Sequence, residues 1–294
     1  MSSKRTLGFV GLGVMGGPMS INLVTRSGHE MIAFDLSTDS LDRVVDAGAK
    51  RGASVVDVAE QADVVFLSLP SIAEVEAVAE ELLSATNPPK IIVDMSTSDV
   101  TRTRALGALL ARDGVELVDA PVARLRQAAK DGTLLITVGA TPERFTDLQP
   151  LLSCMGSDIV HAGSLGSGQV IKILNNMVVF QTVNALAEAR AIGTAAGVDP
   201  KLLFETLTLG SADSFVLRKS ALATLAVDEF PVKTFPTVYA IKDLNLALQL
   251  ARDEGVPTAS ADQTMTLLEA TRDAGYSDEY YPVMVKLIEG GTRK

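Results

Sequence analysis

The first half of the chain alternates short apolar runs with segments of mixed polarity. Nearly unbroken apolar stretches at residues 7–10, 31–34, 63–69, 91–95 and 115–119 read as buried strands, and shorter ones follow at 134–138 and 158–160. Helical candidates lie between them at 41–47, 72–84, 100–112 and 142–152. The last opens on Thr141-Pro142-Glu143, a capping hydroxyl followed by a first-turn proline and an acid. This alternation predicts an α/β fold with a mostly parallel, doubly wound sheet and a ligand at the carboxyl ends of its strands. The strand tips of interest are then Leu69-Pro70-Ser71, Ser96-Thr97 and Asp119-Ala120-Pro121-Val122.

Residues 166–198 break the alternation. They contain no proline and predict one helix of roughly eight turns, about 40 Å long. Lys172, Asn175, Asn176, Gln181, Asn184 and Glu188 interrupt its apolar residues, which argues for a soluble helix over a membrane span. Lys172, Asn175 and Asn176 stand at i, i+3 and i+4 and so share one face, able to line a cleft. Beyond Val198 only helical segments are predicted, at 202–209, 238–254 and 261–274, the first region opened by Asp199-Pro200. The expected organisation is an α/β domain over 1–163, then a long inter-domain helix leading an all-helical domain over 164–294.

Composition narrows the partners. With 36 acids against 26 bases the net charge is −10, which disfavours nucleic acid and anionic membrane surfaces but leaves room for a small anionic substrate in a locally basic pocket. Cys154 is the only cysteine, so no intrachain disulfide forms and a cytoplasmic, reducing location is expected. His29 and His161 are the only histidines, too few with one cysteine to suggest a zinc site. The apolar run after Lys4 and Arg5 is broken by five glycines within residues 1–19, so it does not read as a targeting segment.

The first predicted strand leads straight into Gly11-Leu12-Gly13-Val14-Met15-Gly16, a G-x-G-x-x-G spacing. In this pattern the first glycine permits a tight turn, the second admits a pyrophosphate close to the backbone, and the third lets helix and strand pack. N–H groups at the start of the following helix then face the phosphates. The second strand ends in Asp35, 19 residues past Gly16, where an acid accepts from an adenosine ribose and repels a 2′-phosphate. Leu36, Ser37 and Thr38 supply no cation for that phosphate, so NAD is expected over NADP.

Four stretches, GLGVMGGPM at 11–19, DAPV at 119–122, GSGQVIKILNN at 166–176 and KDLNLAL at 242–248, together resemble the β-hydroxyacid dehydrogenases, the 3-hydroxyisobutyrate dehydrogenase-like group. The resemblance covers almost the whole chain. It implies a Rossmann-type domain followed by a helical one, and NAD(P)-linked oxidation of a 3-hydroxy acid or reduction of its semialdehyde. It also implies that Lys172 transfers the proton, that Asn176 acts beside it, and that Lys242 and Asp243 lie near the cofactor. Candidate substrate contacts are Ser96, Ala123, Arg124 and Asn175; candidate cofactor contacts are the 11–16 turn, Asp35, Leu69, Pro70, Thr97 and Lys242. A helix start and an oxidised nicotinamide would both favour the neutral amine of Lys172, as proton transfer requires. The resemblance further implies a homodimer or homotetramer built through the helical half.

One departure stands out. The family usually continues DAPV with Ser-Gly-Gly, whereas this chain has Ala123-Arg124-Leu125-Arg126 before the pattern resumes at Ala129 and Asp131. Arg124 offers a rigid fork of donors for a carboxylate, sulfonate or phosphate, and in this it resembles the sulfolactaldehyde reductase branch. Two other readings share the architecture: an enzyme similar to imine reductases, which typically lack the lysine, and a non-catalytic NAD(H)-sensing module, which would need only the glycine-rich half.

Overall fold

The computed structural model describes residues 5–232 and 234–290. The chain forms two compact units, Met1–Lys172 and Ile173–Lys294. The first is built on one sheet of nine strands: β1 (Thr6–Val10), β2 (Glu30–Phe34), β3 (Lys50–Arg51), β4 (Val64–Leu67), β5 (Ile91–Asp94), β6 (Glu116–Asp119), β7 (Val122–Ala123), β8 (Leu134–Gly139) and β9 (Gly156–Gly163). Its order runs β3-β2-β1-β4-β5-β6-β8-β7, with β9 beside β8. The pairs from β3 through β6 are all parallel. The crossover at β1 and β4 is the topological switch point of a Rossmann sheet, where a nucleotide binds.

Both faces of this sheet are covered, which is why its strands read as continuous apolar runs rather than as alternating ones. Leu7 and Phe9 of β1 join one core with Val64 and Phe66 of β4, while Val10, Val65 and Leu67 join the core on the opposite face. Phe9 and Phe66 are register partners and stack at 6.1 Å between ring centroids. Removing each fully buried ring from water stabilises the fold by roughly 1.5–3 kcal/mol.

The helices of this unit are α1 (Gly16–Arg26), α2 (Thr38–Asp46), α3 (Val55–Gln61), α4 (Ile72–Leu83), α5 (Val100–Leu110), α6 (Arg126–Asp131) and α7 (Pro142–Leu152). Ser37, Ser54, Ser71, Asp99 and Thr141 each accept a backbone N–H at the start of the helix that follows them. Such caps satisfy donors that have no partner inside the helix. Four elements go beyond the sequence reading. Strands β3 and β7 have two residues each, and α3 and α6 only seven and six, too short to display a period. The pairs of β8 with β6 and with β7 are antiparallel, so the last strands depart from the parallel pattern.

Helix α8 (Ser167–Ala195) has 29 residues and is long and apolar enough to cross a membrane by length and composition. Two of its polar positions have partners within the second unit. Arg190, only 7% exposed, pairs with Asp228 at 2.7 Å and Glu289 at 3.2 Å, and Asn184 donates to Thr264. Within the second unit, Phe180, Val183, Leu186 and Ala187 of α8 share a core with Phe204, Leu244 and Leu268. These three lie on α9 (Pro200–Leu207), α10 (Thr237–Asp253) and α11 (Ala259–Asp273) respectively. Beyond α8 the described residues form helices and turns, apart from two isolated antiparallel bridges, Val232 to Glu279 and Pro236 to Tyr280.

Candidate active site

The turn after β1 is shaped by contacts that exclude side chains. Gly11 holds φ at +90° and donates its N–H to Phe34 O. A Cβ there would lie 2.3 Å from Ser68 O, and one at Gly16 would lie 2.0 Å from Gly11 O. At Gly13, by contrast, a Cβ would meet nothing within 4 Å. Gly11 and Gly16 therefore serve the turn itself, and Gly13 leaves open space above the backbone for a ligand. Met15 precedes α1 without a side-chain cap, and the first turn carries no acid. The start of α1 thus keeps the positive end of its dipole for an anion. This cradle fits a dinucleotide diphosphate.

Asp35 stands at the end of β2 and ties the turn together. Its Oδ2 accepts from Leu12 N–H at 2.5 Å and its Oδ1 from Ser37 N–H at 2.7 Å. Each carboxylate oxygen keeps a further lone pair for a ribose hydroxyl. Leu36 beside it is 94% exposed.

The neighbouring strand tips form a buried hydrogen-bonded frame. Ser96 Oγ accepts from Leu69 N–H at 2.9 Å, and Asp94 accepts from Ser96 N–H and from Ser98 Oγ. Gln169, in the first turn of α8, accepts from Ser98 N–H and donates to Ser96 O. Asp119 completes the frame: Oδ1 accepts from Gly166 N–H and Oδ2 from Gln169 N–H, both at 2.7 Å. It is thus a remote cap on α8, supplied by the end of β6. Gly139 and Gly168 make room for it, since a Cβ at either would lie 2.0 or 2.8 Å from its oxygens. Burial pushes the Asp119 carboxyl up to about 6, although its two N–H bonds pull the other way. Burial likewise raises Asp94.

Ser96, expected at the substrate, is buried, and its hydroxyl accepts from Leu69 N–H. Leu69 and Thr97 are half-buried at the same tips and Pro70 is exposed. Sequence reasoning included Asp119 and Gln169 in its motifs without seeing that they clamp α8 to the sheet. A lone buried acid at a strand end, opposite a glycine-rich helix start, was the available signal.

Lys172 is half-buried one turn beyond this clamp. Helical spacing puts Asn175 and Asn176 on its face of α8. In the second unit Asn176 is 7% exposed and donates to Asp243 Oδ2 at 2.7 Å, while Asn175 donates to Asn176 Oδ1. Asp243 on α10 is itself buried, with its Oδ1 3.1 Å from Lys242 Nζ. Asp243 therefore fixes the Asn176 amide and draws the Lys242 ammonium beside it.

Arg124 makes its side-chain contacts within the first unit. Its Nη1 donates to Thr133 O and Ser157 Oγ, and its Nη2 pairs with Asp158 Oδ2 at 2.7 Å. Both Nη atoms of the fork expected to hold a substrate anion thus have partners, at Thr133 and at Ser157 and Asp158 of β9. Its backbone holds φ at +86°, the left-handed region, at a position where the family has glycine. Ala123 precedes it, half-buried in β7.

Comparison with known proteins agrees with this geometry. Residues 6–163 match the NAD binding domain of 6-phosphogluconate dehydrogenase, and residues 166–288 match the family described as NAD-binding of NADP-dependent 3-hydroxyisobutyrate dehydrogenase. A probable mitochondrial 3-hydroxyisobutyrate dehydrogenase of Dictyostelium discoideum is 34% identical over 92% of this chain and 88% of its own. The 2-(hydroxymethyl)glutarate dehydrogenase of Eubacterium barkeri is 34% identical over 98% and 96%. The Mycobacterium tuberculosis 3-hydroxyisobutyrate dehydrogenase, solved with L-serine, superposes with a TM-score of 0.87 at 28% identity, covering 97% of this chain and 99% of that one.

Fold and site together define an NAD-linked oxidoreductase of Rossmann type. The chain belongs to the β-hydroxyacid dehydrogenase family.

Proposed function

We propose that this protein interconverts a small anionic 3-hydroxy acid and its semialdehyde or 3-oxo form, with Lys172 as proton donor and acceptor. The observation that supports the reading is Lys172 one turn beyond the Asp119 and Gln169 clamp at the start of α8, with Asn175 and Asn176 following at helical spacing. Gly11–Gly16 and Asp35 would hold the cofactor's diphosphate and ribose. NAD supplies a two-electron hydride acceptor. In the oxidative direction the substrate hydroxyl gives its proton to the neutral Lys172 amine as hydride leaves the same carbon; reduction runs the reverse. Asn176, fixed by Asp243, orients the lysine or the substrate oxygen.

The substrate carries a carboxylate in this reading. A sulfonate rested on the Arg124 fork, whose Nη atoms are engaged by Thr133, Ser157 and Asp158. The test is a panel of 3-hydroxy acids, sulfonate analogues and imines, each assayed with NAD(H) and NADP(H). The expected outcome is turnover of a 3-hydroxycarboxylate with kcat/KM higher for NAD. Turnover of imines alone, or NADH binding with no turnover of any substrate, would contradict it.

A further inference from the structure

A cavity of about 650 Å³ lies over the outer side of the glycine-rich turn. Leu12, Gly13 and Val14 of the turn and Gly17 of α1 line it. Three cations stand around it, Arg43 from α2 and Arg126 and Lys130 from α6, and no acid lines it. In a chain of net charge −10 this is a local reversal of sign. Of the acids adjacent in sequence to Arg43 and Lys130, Asp42 pairs with Arg51, and Asp131 accepts from Gln127 at 2.8 Å. Arg43 bonds only the neutral Ser40 hydroxyl, and Lys130 makes no ion pair among the described residues.

Two features aim this cavity at a phosphate. Gly13, with space around it for a Cβ and more, opens into it. Gly17, which also lines the cavity, packs so closely that a Cβ would lie 2.9 Å from Leu12 O, so the first turn of α1 presents backbone there. Backbone donors at a helix start combined with nearby cations make an anion site far stronger than either alone.

We infer that Arg126 and Lys130, with Arg43 opposite, form a cationic rim for the phosphate oxygens of the dinucleotide's diphosphate. The inference rests on the NAD reading of the glycine-rich turn. It puts Arg126 on the cofactor side of its loop and takes it out of the substrate site. Short helix α6, which follows the altered Ala123-Arg124-Leu125 stretch, thereby becomes part of cofactor recognition.

The test titrates NADH, ADP-ribose and adenosine into the full chain and into Arg126→Gln/Lys130→Gln, with Arg43→Gln as a second variant; each keeps side-chain bulk and removes charge. NADH and ADP-ribose affinity should fall by roughly tenfold or more in the double variant, and adenosine affinity should not change. The same two ligands should lose part of their salt sensitivity. Unchanged ADP-ribose binding in both variants, or an equal loss for adenosine, overturns the inference while leaving the glycine-rich turn intact. Failure of the unmodified protein to bind NADH overturns the NAD reading itself, and the rim with it.

Discussion

At Arg124 a side chain occupies a backbone conformation suited to glycine. Holding an L-residue at φ +86° costs about 1–2 kcal/mol of strain. The guanidinium offsets this by reaching Thr133 O, Ser157 and Asp158, which pins the loop to β9. Those contacts also help hold the exposed Asp158 carboxyl below its usual range, after the Ser157 hydroxyl bond. Arg124→Ala removes the anchor and keeps the strain, whereas Arg124→Gly removes both. The glycine variant should therefore be the more stable of the two by about 1 kcal/mol in denaturant unfolding. An alanine variant as stable as the glycine one would mean that the loop relaxes and that no strain is stored. The sequence exposed the substitution plainly, because Ser-Gly-Gly was missing. It did not reveal the outcome, because Asp158 is 34 residues further on and only β8–β9 pairing brings it near.

Among the elements, α8 shows how a helix is positioned from outside itself. Asp119 caps it across 47 residues of sequence, and Gln169 ties its first turn to the Ser96–Ser98 segment. Periodicity and the absence of proline made the helix legible within a few residues, since both are local properties. The clamp was not legible, because it joins a strand end to a helix start through a parallel sheet. The clamp has a pH signature. The folded Asp119 value is raised from 3.8 to about 6, so its contribution to stability is present in full below the lower value and lost as pH rises through the higher. The unmodified protein should lose roughly 1 kcal/mol between about pH 5 and about pH 7.5 from this group. Asp119→Asn removes the titrating group and should lack this slope. Parallel stability curves for the two proteins would remove Asp119 as the titrating group.

The whole molecule divides its tasks along the chain. Residues before Lys172 supply the glycine-rich turn, the acid at the end of β2 and the cationic cavity, and Ile173–Lys294 supplies the buried Asn176–Asp243 pair. Much of this plan was readable in one dimension: glycines at fixed offsets, an acid at a strand end, and a lysine with two asparagines on one helical face. What stayed hidden depends on tertiary placement, such as the cations of α2 and α6 gathering at one cavity. The account's central claim is that cofactor binding and proton transfer reside in separable groups. The direct measurement is turnover and NADH affinity of Lys172→Ala in the same preparation. The account predicts that kcat falls by about 10²–10⁴-fold while the NADH Kd stays within about threefold, under 1 kcal/mol. A variant with near-normal kcat, or one that loses turnover only because it no longer binds NADH, would contradict it.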